Sequence, residues 1–222
     1  MDIAVCLITA FAAYLLGSIP SGYLAGRAKG LDIRAMGSGN IGATNAFRIL
    51  GKTWGAAVLL ADAFKGWFAA AMLPVIVCKI FDPALLNVPE ASRDYLNIIA
   101  AISVILGHNY TCWLKFKGGK GIATSAGVLL ALVPWALVIS LSTWIIVCKL
   151  TRYVSVGSIA ASAVLPFATW LVHRYSMRMV VITAVMGVLA IYKHKANIVR
   201  LMNGTENKMG QKRAEPEAEE MS

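Results

Sequence analysis

Long apolar runs alternate with short polar connectors over most of this chain. The runs fall near residues 3–24, 55–78, 96–113, 121–148, 155–172 and 178–192, and each is long enough, or nearly so, to cross a hydrocarbon core of ~30 Å as a helix. The pattern predicts an all-α, polytopic membrane bundle forming a single unit over 1–206, because only helices or a closed barrel satisfy the backbone in lipid. The run at 121–148 stands apart. As one helix it would measure about 42 Å at ~1.5 Å per residue, and Pro134 lies near its middle. Either it is one long kinked span or it turns at Leu132-Val133-Pro134 to give two.

Charge placement separates these alternatives, since lysine and arginine are retained on the cytoplasmic side. With the run split there are seven spans and an N-terminus on the periplasmic side. The inner connectors (27–52, 115–120, 149–152 and 193–213) then hold sixteen basic residues, against four outside, Lys79, Arg93, Arg174 and Arg178. Left unsplit, the count is ten to ten. Seven spans with a cytoplasmic C-terminus are the expectation. Composition agrees, with 58% hydrophobic residues, only 14% charged and a mean hydropathy of +0.67; soluble domains carry about 25% charged residues. The aspartate and the lack of a basic residue before the first apolar run argue against a cleaved secretory signal. From 207 to 222 the chain is polar and of low complexity, a tail expected to be disordered and cytoplasmic. Cys6, Cys78, Cys112 and Cys148 have no metal-ligand spacing and read as buried thiols, although Cys6 and Cys78 are both placed near one membrane face.

Three polar segments fall on the predicted cytoplasmic face. In the first, MGSGNIGATNAFR, Gly37, Gly39 and Gly42 let backbone N–H groups approach an oxyanion. Ser38, Asn40, Thr44 and Asn45 add hydrogen bonds, and Arg48 supplies a planar fork suited to phosphate. A flexible reconnecting loop is the plainer reading of the same residues. In the second, Lys115, Lys117, Gly118, Gly119, Lys120 and Gly121 precede a helix starting near Ile122, where free N–H groups and the helix dipole favour an anion; basic loops also serve only to fix topology or meet anionic lipid. In the third, His194, Asn197 and Arg200 recur at i, i+3 and i+6 if the last helix continues, with Glu206 beyond.

Other polar residues lie within or at the ends of apolar runs. Asp62 and Lys65 are three apart in the second run, close enough to pair, and read as structural. His108 and Asn109 end the third run on the same face, where a histidine is as suited to holding a loop as to chemistry. Ser155 and Ser158 start the run at 155–172. The acids never cluster outside the tail, so no metal and no other cofactor is expected. No histidine is followed by an aspartate at the spacing of a His-Asp acyltransferase dyad: His108 leads to Cys112 and Trp113, His173 to Met177 and Arg178.

Taken together, Gly17-Ser18-Ile19-Pro20-Ser21 with GSGNIGATNAFR, Asp62-Ala63-Phe64-Lys65-Gly66, Gly107-His108-Asn109 with KFKGGKGIAT, and KHKANIVRLMNGTE resemble the bacterial PlsY family of acyl-phosphate:glycerol-3-phosphate acyltransferases, to about residue 206. The resemblance implies a metal-independent inner-membrane enzyme with its site on the cytoplasmic face. It would move a fatty acyl group from acyl phosphate to the 1-hydroxyl of glycerol 3-phosphate, giving lysophosphatidate and inorganic phosphate in the first acylation of phospholipid synthesis. It implies that Ser38 and Arg48 belong to an essential first motif, that the glycines of KGGKG and Lys120 serve the glycerol-phosphate site, that His194 and Asn197 belong to the third motif, and that Glu206 is structural. The expected partners are the two substrates and membrane lipids, with no nucleic acid and a monomeric state. A transporter for phosphorylated small molecules is the competing reading, suggested by the broken run at Pro134 and by Asp62 and Lys65. A basic scaffold for anionic lipids would account for the lysines but not the glycines.

Overall fold

The computed structural model describes residues 3–87, 90–172 and 176–210. Residues 211–222 of the expected tail, His173, Arg174 and the Arg93 side chain lie outside the described residues. Among the described residues eleven α-helices follow in order: α1 Ile3–Ser18, α2 Ser21–Ala28, α3 Ala43–Ile49, α4 Lys52–Ala71, α5 Leu73–Phe81, α6 Glu90–Asn109, α7 Ile122–Leu132, α8 Pro134–Thr151, α9 Val154–Val172, α10 Met177–Lys193 and α11 Lys195–Met202. Among the described residues there is no strand, so the all-helical expectation holds.

Several apolar runs are broken next to a proline. Pro20 closes α1 and starts α2, and the stretch Ile3–Ala28 is long and apolar enough to span a membrane. α4 and α5 form one apolar stretch bent by 42°. At the end of the run 121–132 the chain leaves the helix at Val133 (φ −146°, ψ 63°), and Pro134 opens α8, where its missing N–H costs nothing. The expected break at 132–134 is therefore present. Among the described residues four stretches qualify as membrane spans by length and composition, or six if the bent pairs α4–α5 and α10–α11 are each one span. α7, with 11 residues, covers only about 16 Å at ~1.5 Å per residue, short of a full crossing by itself.

Packing follows small residues. α1 lies against α6, α4 against α7, and α9 against both α8 and α10. Gly66 of α4 faces the Thr124 carbonyl while Gly127 of α7 faces the Ala63 carbonyl, and Gly17 and Gly107 make the same reciprocal approach between α1 and α6. A Cβ at any of the four would overlap backbone, so these pairs sit at a spacing only glycine permits. The main core continues this with Ala13, Ala69, Ala70, Ala100, Ala101 and Val104. Phe11, Leu60, Phe64, Ile146, Leu150 and Phe167 point outward, which suits a surface solvated by lipid.

The charged pair inside the bundle holds helices together. Lys65 Nζ lies 2.8 Å from Asp62 Oδ1 and donates to the Ile19 carbonyl at 2.8 Å, at the break Pro20 forces between α1 and α2. Ser21 Oγ donates to Asp62 at 3.0 Å. None of the four cysteines is in a disulfide; Cys6 and Cys78 share one apolar cluster with Val5, Val77 and Leu96.

Candidate active site

The three polar segments meet in one cavity of about 310 Å³. Its polar end is formed by Ser38, Asn40, Gly42, Thr44, Asn45 and Arg48 from the first segment, Lys120 and Gly121 from the second, and His194, Asn197 and Glu206 from the third. Ser155 and Ser158 line it as well, and so do Asp62 and His108. Its other end runs between α7, α8, α9 and α10 and is lined by Leu129, Leu137, Leu141, Ala161, Leu165 and Met186. A head bearing negative charge fits the first end, and a hydrocarbon chain the second.

The first segment is shaped from within. Gly37 and Gly39 have φ of +61° and +70°, and Gly39 N–H turns back onto the Met36 carbonyl at 3.0 Å. Asn45 is almost fully buried; its Nδ2 donates to the carbonyls of Ile33 and Met36, both at 3.1 Å, and its Oδ1 accepts Ser38 N–H at 3.0 Å. The amide of Asn45 is thus occupied in holding the loop that presents Ser38. Asn40 Oδ1 takes Gly42 N–H at 2.8 Å, an Asx turn leading into α3. Gly37 and Gly39 give the loop its path and do not line the cavity.

The second segment divides. Lys115 and Lys117 are exposed and stand outside the cavity lining, Lys115 in left-handed geometry with φ 53°. Gly118 N–H donates to the Asn109 carbonyl at 3.2 Å and Gly119 N–H to the His108 carbonyl at 3.0 Å, while Lys193 Nζ donates to Asn109 O at 3.0 Å. These donors satisfy the open carbonyls at the end of α6, so the two glycine N–H groups are engaged by the protein. Their lack of a side chain lets the loop lie on His108 and Asn109, where a Cβ on Gly118 would strike the His108 carbonyl and one on Gly119 the imidazole. His108 Nδ1 lies 3.5 Å from Asp62 Oδ1. A His–Asp pair therefore does exist, assembled from two helices and clamped behind the loop. Asn109 is buried next to Gly121 and outside the cavity lining.

What the second segment delivers to the cavity is Lys120. Its ammonium donates to Asn197 Oδ1. Asn197 Nδ2 donates to Glu206 Oε1 at 2.6 Å, and Arg200 Nε donates to Glu206 Oε2 at 2.7 Å. The asparagine amide thereby joins second and third segments, with its orientation fixed by the carboxylate. Burial lowers the Lys120 pKa to about 8, opposed by the Glu206 charge and reinforced by Arg200, Arg48 and Lys193. Burial works against the Glu206 carboxylate, but hydrogen bonds from Asn197 and Arg200 outweigh it and hold its pKa below the ordinary value.

The third segment does not continue α10. The chain bends by 52° at His194 (φ −92°, ψ 6°) and restarts as α11. His194 is buried, and its Nδ1 is 2.8 Å from the Ala190 carbonyl. A carbonyl only accepts, so Nδ1 carries the proton, and in the neutral ring Nε2 keeps its lone pair. Residues 207–210, placed in the tail by sequence, pack on the α8–α9 turn, with Met209 N–H donating to Arg152 O at 2.8 Å.

The apolar sleeve is the part sequence reasoning missed. α8 is hydrophobic on all sides, so nothing in its periodicity separates Leu137 and Leu141, which line the cavity, from residues facing lipid. Ser140 and Trp144 also line it, Trp144 Nε1 donating to Ser158 Oγ at 3.2 Å.

A family model described as glycerol-3-phosphate acyltransferase matches residues 7–204. Curated relatives of that name include one from Geobacter sulfurreducens, 44% identical over 202 residues and covering 91% of this chain and 96% of its own, and one from Chlorobaculum parvum, 41% identical over 219 residues, covering 89% and 93%. Among solved structures, PlsY, described as an integral membrane glycerol 3-phosphate acyltransferase, superposes in its glycerol 3-phosphate form with a TM-score of 0.78 at 36% identity, over 92% of this chain and 96% of that one. Its lysophosphatidic acid form gives 0.76 at the same identity.

Proposed function

The chain belongs to the glycerol-3-phosphate acyltransferase family, and from that premise we propose how its cavity acylates glycerol 3-phosphate, with acyl phosphate as the donor. The carrying observation is the single cavity in which Ser38, Arg48, Lys120, His194 and Asn197 line a polar end that opens into a sleeve of aliphatic side chains. Two phosphorylated heads need cationic and hydrogen-bonding groups, and a fatty chain needs apolar walls; this cavity offers both within one enclosure.

Acyl phosphate is a mixed anhydride, activated before it binds. The 1-hydroxyl of glycerol 3-phosphate attacks the acyl carbonyl carbon, the bond from that carbon to the phosphate oxygen breaks, and inorganic phosphate leaves with lysophosphatidate as the product. The hydroxyl proton goes to the departing phosphate. Lys120, steered by Asn197, holds the glycerol phosphate. Arg48 and Ser38 hold the donor head and stabilise the oxyanion that forms in the tetrahedral intermediate. His194 Nε2 accepts from the acceptor hydroxyl and aims it at the carbonyl, so that orientation supplies much of the rate. Glu206 keeps Asn197 in register, and the pair Asp62–Lys65 is structural.

The topology belongs to the same reading: seven spans with α7 as the short one, an N-terminus in the periplasm, the site at the cytoplasmic face of the inner membrane, and a monomer. The basic residues flanking α2, α3, α8, α10 and α11 support it.

The test uses purified protein with palmitoyl phosphate, glycerol 3-phosphate and EDTA, scoring lysophosphatidate. Product in the presence of the chelator supports the donor and metal independence. No product, or product only from palmitoyl-CoA, overturns the donor assignment. Flux of glycerol 3-phosphate into liposomes without acylation would make the protein a transporter.

A further inference from the structure

α8 ends at Thr151, and the chain turns through Arg152, whose φ of 64° lies in the left-handed region, before α9 starts at Val154. α11 is closed at its end by Gly204 (φ 69°) and by Thr205 N–H, which returns to the Arg200 carbonyl at 2.8 Å. Beyond that cap the chain runs along the edge of the cavity, which Glu206 and Asn207 line, and reaches the α8–α9 turn. There Met209 N–H donates to Arg152 O at 2.8 Å, Arg152 Nη2 donates to Met209 O at 3.2 Å, and Lys208 Nζ stands 5.6 Å from the centre of the Tyr153 ring.

Glu206 is thus fixed from both sides, by the α11 cap before it and by the contact with Arg152 after it. Arg152 and Met209 are both exposed, so the contact contributes little to the buried core. Without the second attachment the backbone of residues 206–210 is held only by the α11 cap before it and by the bonds of the Glu206 side chain to Asn197 and Arg200, and can sample more states. The carboxylate that fixes the Asn197 amide sits in that stretch.

We propose that the reciprocal Arg152–Met209 contact is a positioning clasp: it holds Glu206 on Asn197, and through Asn197 holds Lys120, so that the acceptor subsite is in order only while the clasp is closed. Arg152 and Met209 are positioning residues; neither lines the cavity. The inference rests on the reading of Lys120 and Asn197 as the glycerol 3-phosphate subsite.

Three variants of the full chain test it. Met209→Pro deletes the N–H donor, Arg152→Gly deletes the guanidinium while allowing the left-handed backbone, and Met209→Ala keeps both main-chain groups. Lysophosphatidate formation is measured over a range of both substrates and of pH, beside thermal unfolding in detergent. The first two variants are expected to raise KM for glycerol 3-phosphate about tenfold, the scale of one lost hydrogen bond to a charged group. Their kcat, KM for acyl phosphate and Tm should stay near those of the parent, and Met209→Ala should match the parent throughout. The titratable and charged groups facing Lys120 are Glu206, Arg200, Arg48, Lys193 and His194. Glu206 is the one that sustains its charge, so the alkaline loss of glycerol 3-phosphate affinity should move to lower pH when the clasp is open. An unchanged KM for glycerol 3-phosphate in both clasp variants overturns the proposal, as does a parallel fall in Tm, kcat and both affinities, which would mark a merely structural contact. If the parent protein itself makes no lysophosphatidate, the functional reading fails first and the clasp falls with it.

Discussion

At the polar end, His194 and Lys120 are each held by a partner that limits what they can do. His194 gives Nδ1–H to Ala190, which leaves Nε2 as the atom able to meet a hydroxyl. His194→Ala is expected to lower kcat/KM by about 100-fold or more, within the range for a lost acid–base or orienting group; near-normal turnover of that variant in detergent would remove His194 from the site. Lys120 makes a prediction in pH. With a pKa of about 8, it is cationic below that value and neutral above it. Glycerol 3-phosphate is already a dianion at pH 7, its second pKa being about 6. KM for glycerol 3-phosphate should therefore be flat near pH 7 and rise as pH passes through 8, the direction in which the lysine loses charge. Lys120→Arg, cationic throughout, should abolish that rise even where its geometry costs affinity; a pH profile of KM for the two proteins decides.

Among the elements, glycines and one ion pair set the spacing of the helices that carry the site. α4 and α7 approach through Gly66 and Gly127, and this brings the start of α7, with Lys120 just before it, beside the first segment. Asp62, Lys65, Ser21 and the Ile19 carbonyl then join α4 to the α1–α2 break. Asp62→Ala leaves the Lys65 ammonium buried without its carboxylate, and such a change costs about 3–5 kcal/mol in protein interiors. The variant is expected to unfold at markedly lower temperature in detergent; an unchanged Tm would show that the pair is not needed to hold α4 to α1. Gly118 and Gly119 act at this scale too. Their sequence suggests an anion cradle, yet their N–H groups close the end of α6 and it is Lys120 alone of the three loop lysines that reaches the cavity.

For the whole molecule the distribution of charge is the organising fact. Net charge is +10, and the segments that carry most of it are those that meet at the polar end of the cavity or lie around it. With the native thiols replaced, single cysteines at Lys117 and Lys208 are expected to react with an impermeant reagent only from the cytoplasmic side, and one at Lys79 only from the opposite side. Equal labelling of Lys79→Cys and Lys117→Cys from one side would break the seven-span topology.

Sequence by itself determined the helical membrane class, the break before Pro134, the buried partnership of Asp62 and Lys65, and the three segments that supply the polar end of the cavity. Hydrophobic runs, proline and clustered glycine, lysine and asparagine are local signals, governed by the cost of bare backbone and unpaired charge in lipid. Tertiary structure alone decided which members of those segments face one another. The Lys120–Asn197–Glu206 relay, the His108–Asp62 pair, the sleeve between α7 and α10 and the return of residues 207–210 to Arg152 join positions far apart in the chain. In a helix that is apolar on every side, as α8 is, no periodicity marks the face that turns inward. That choice comes from helix spacing, which close contacts such as those of Gly66 with Thr124 and Gly127 with Ala63 fix only once the helices have met.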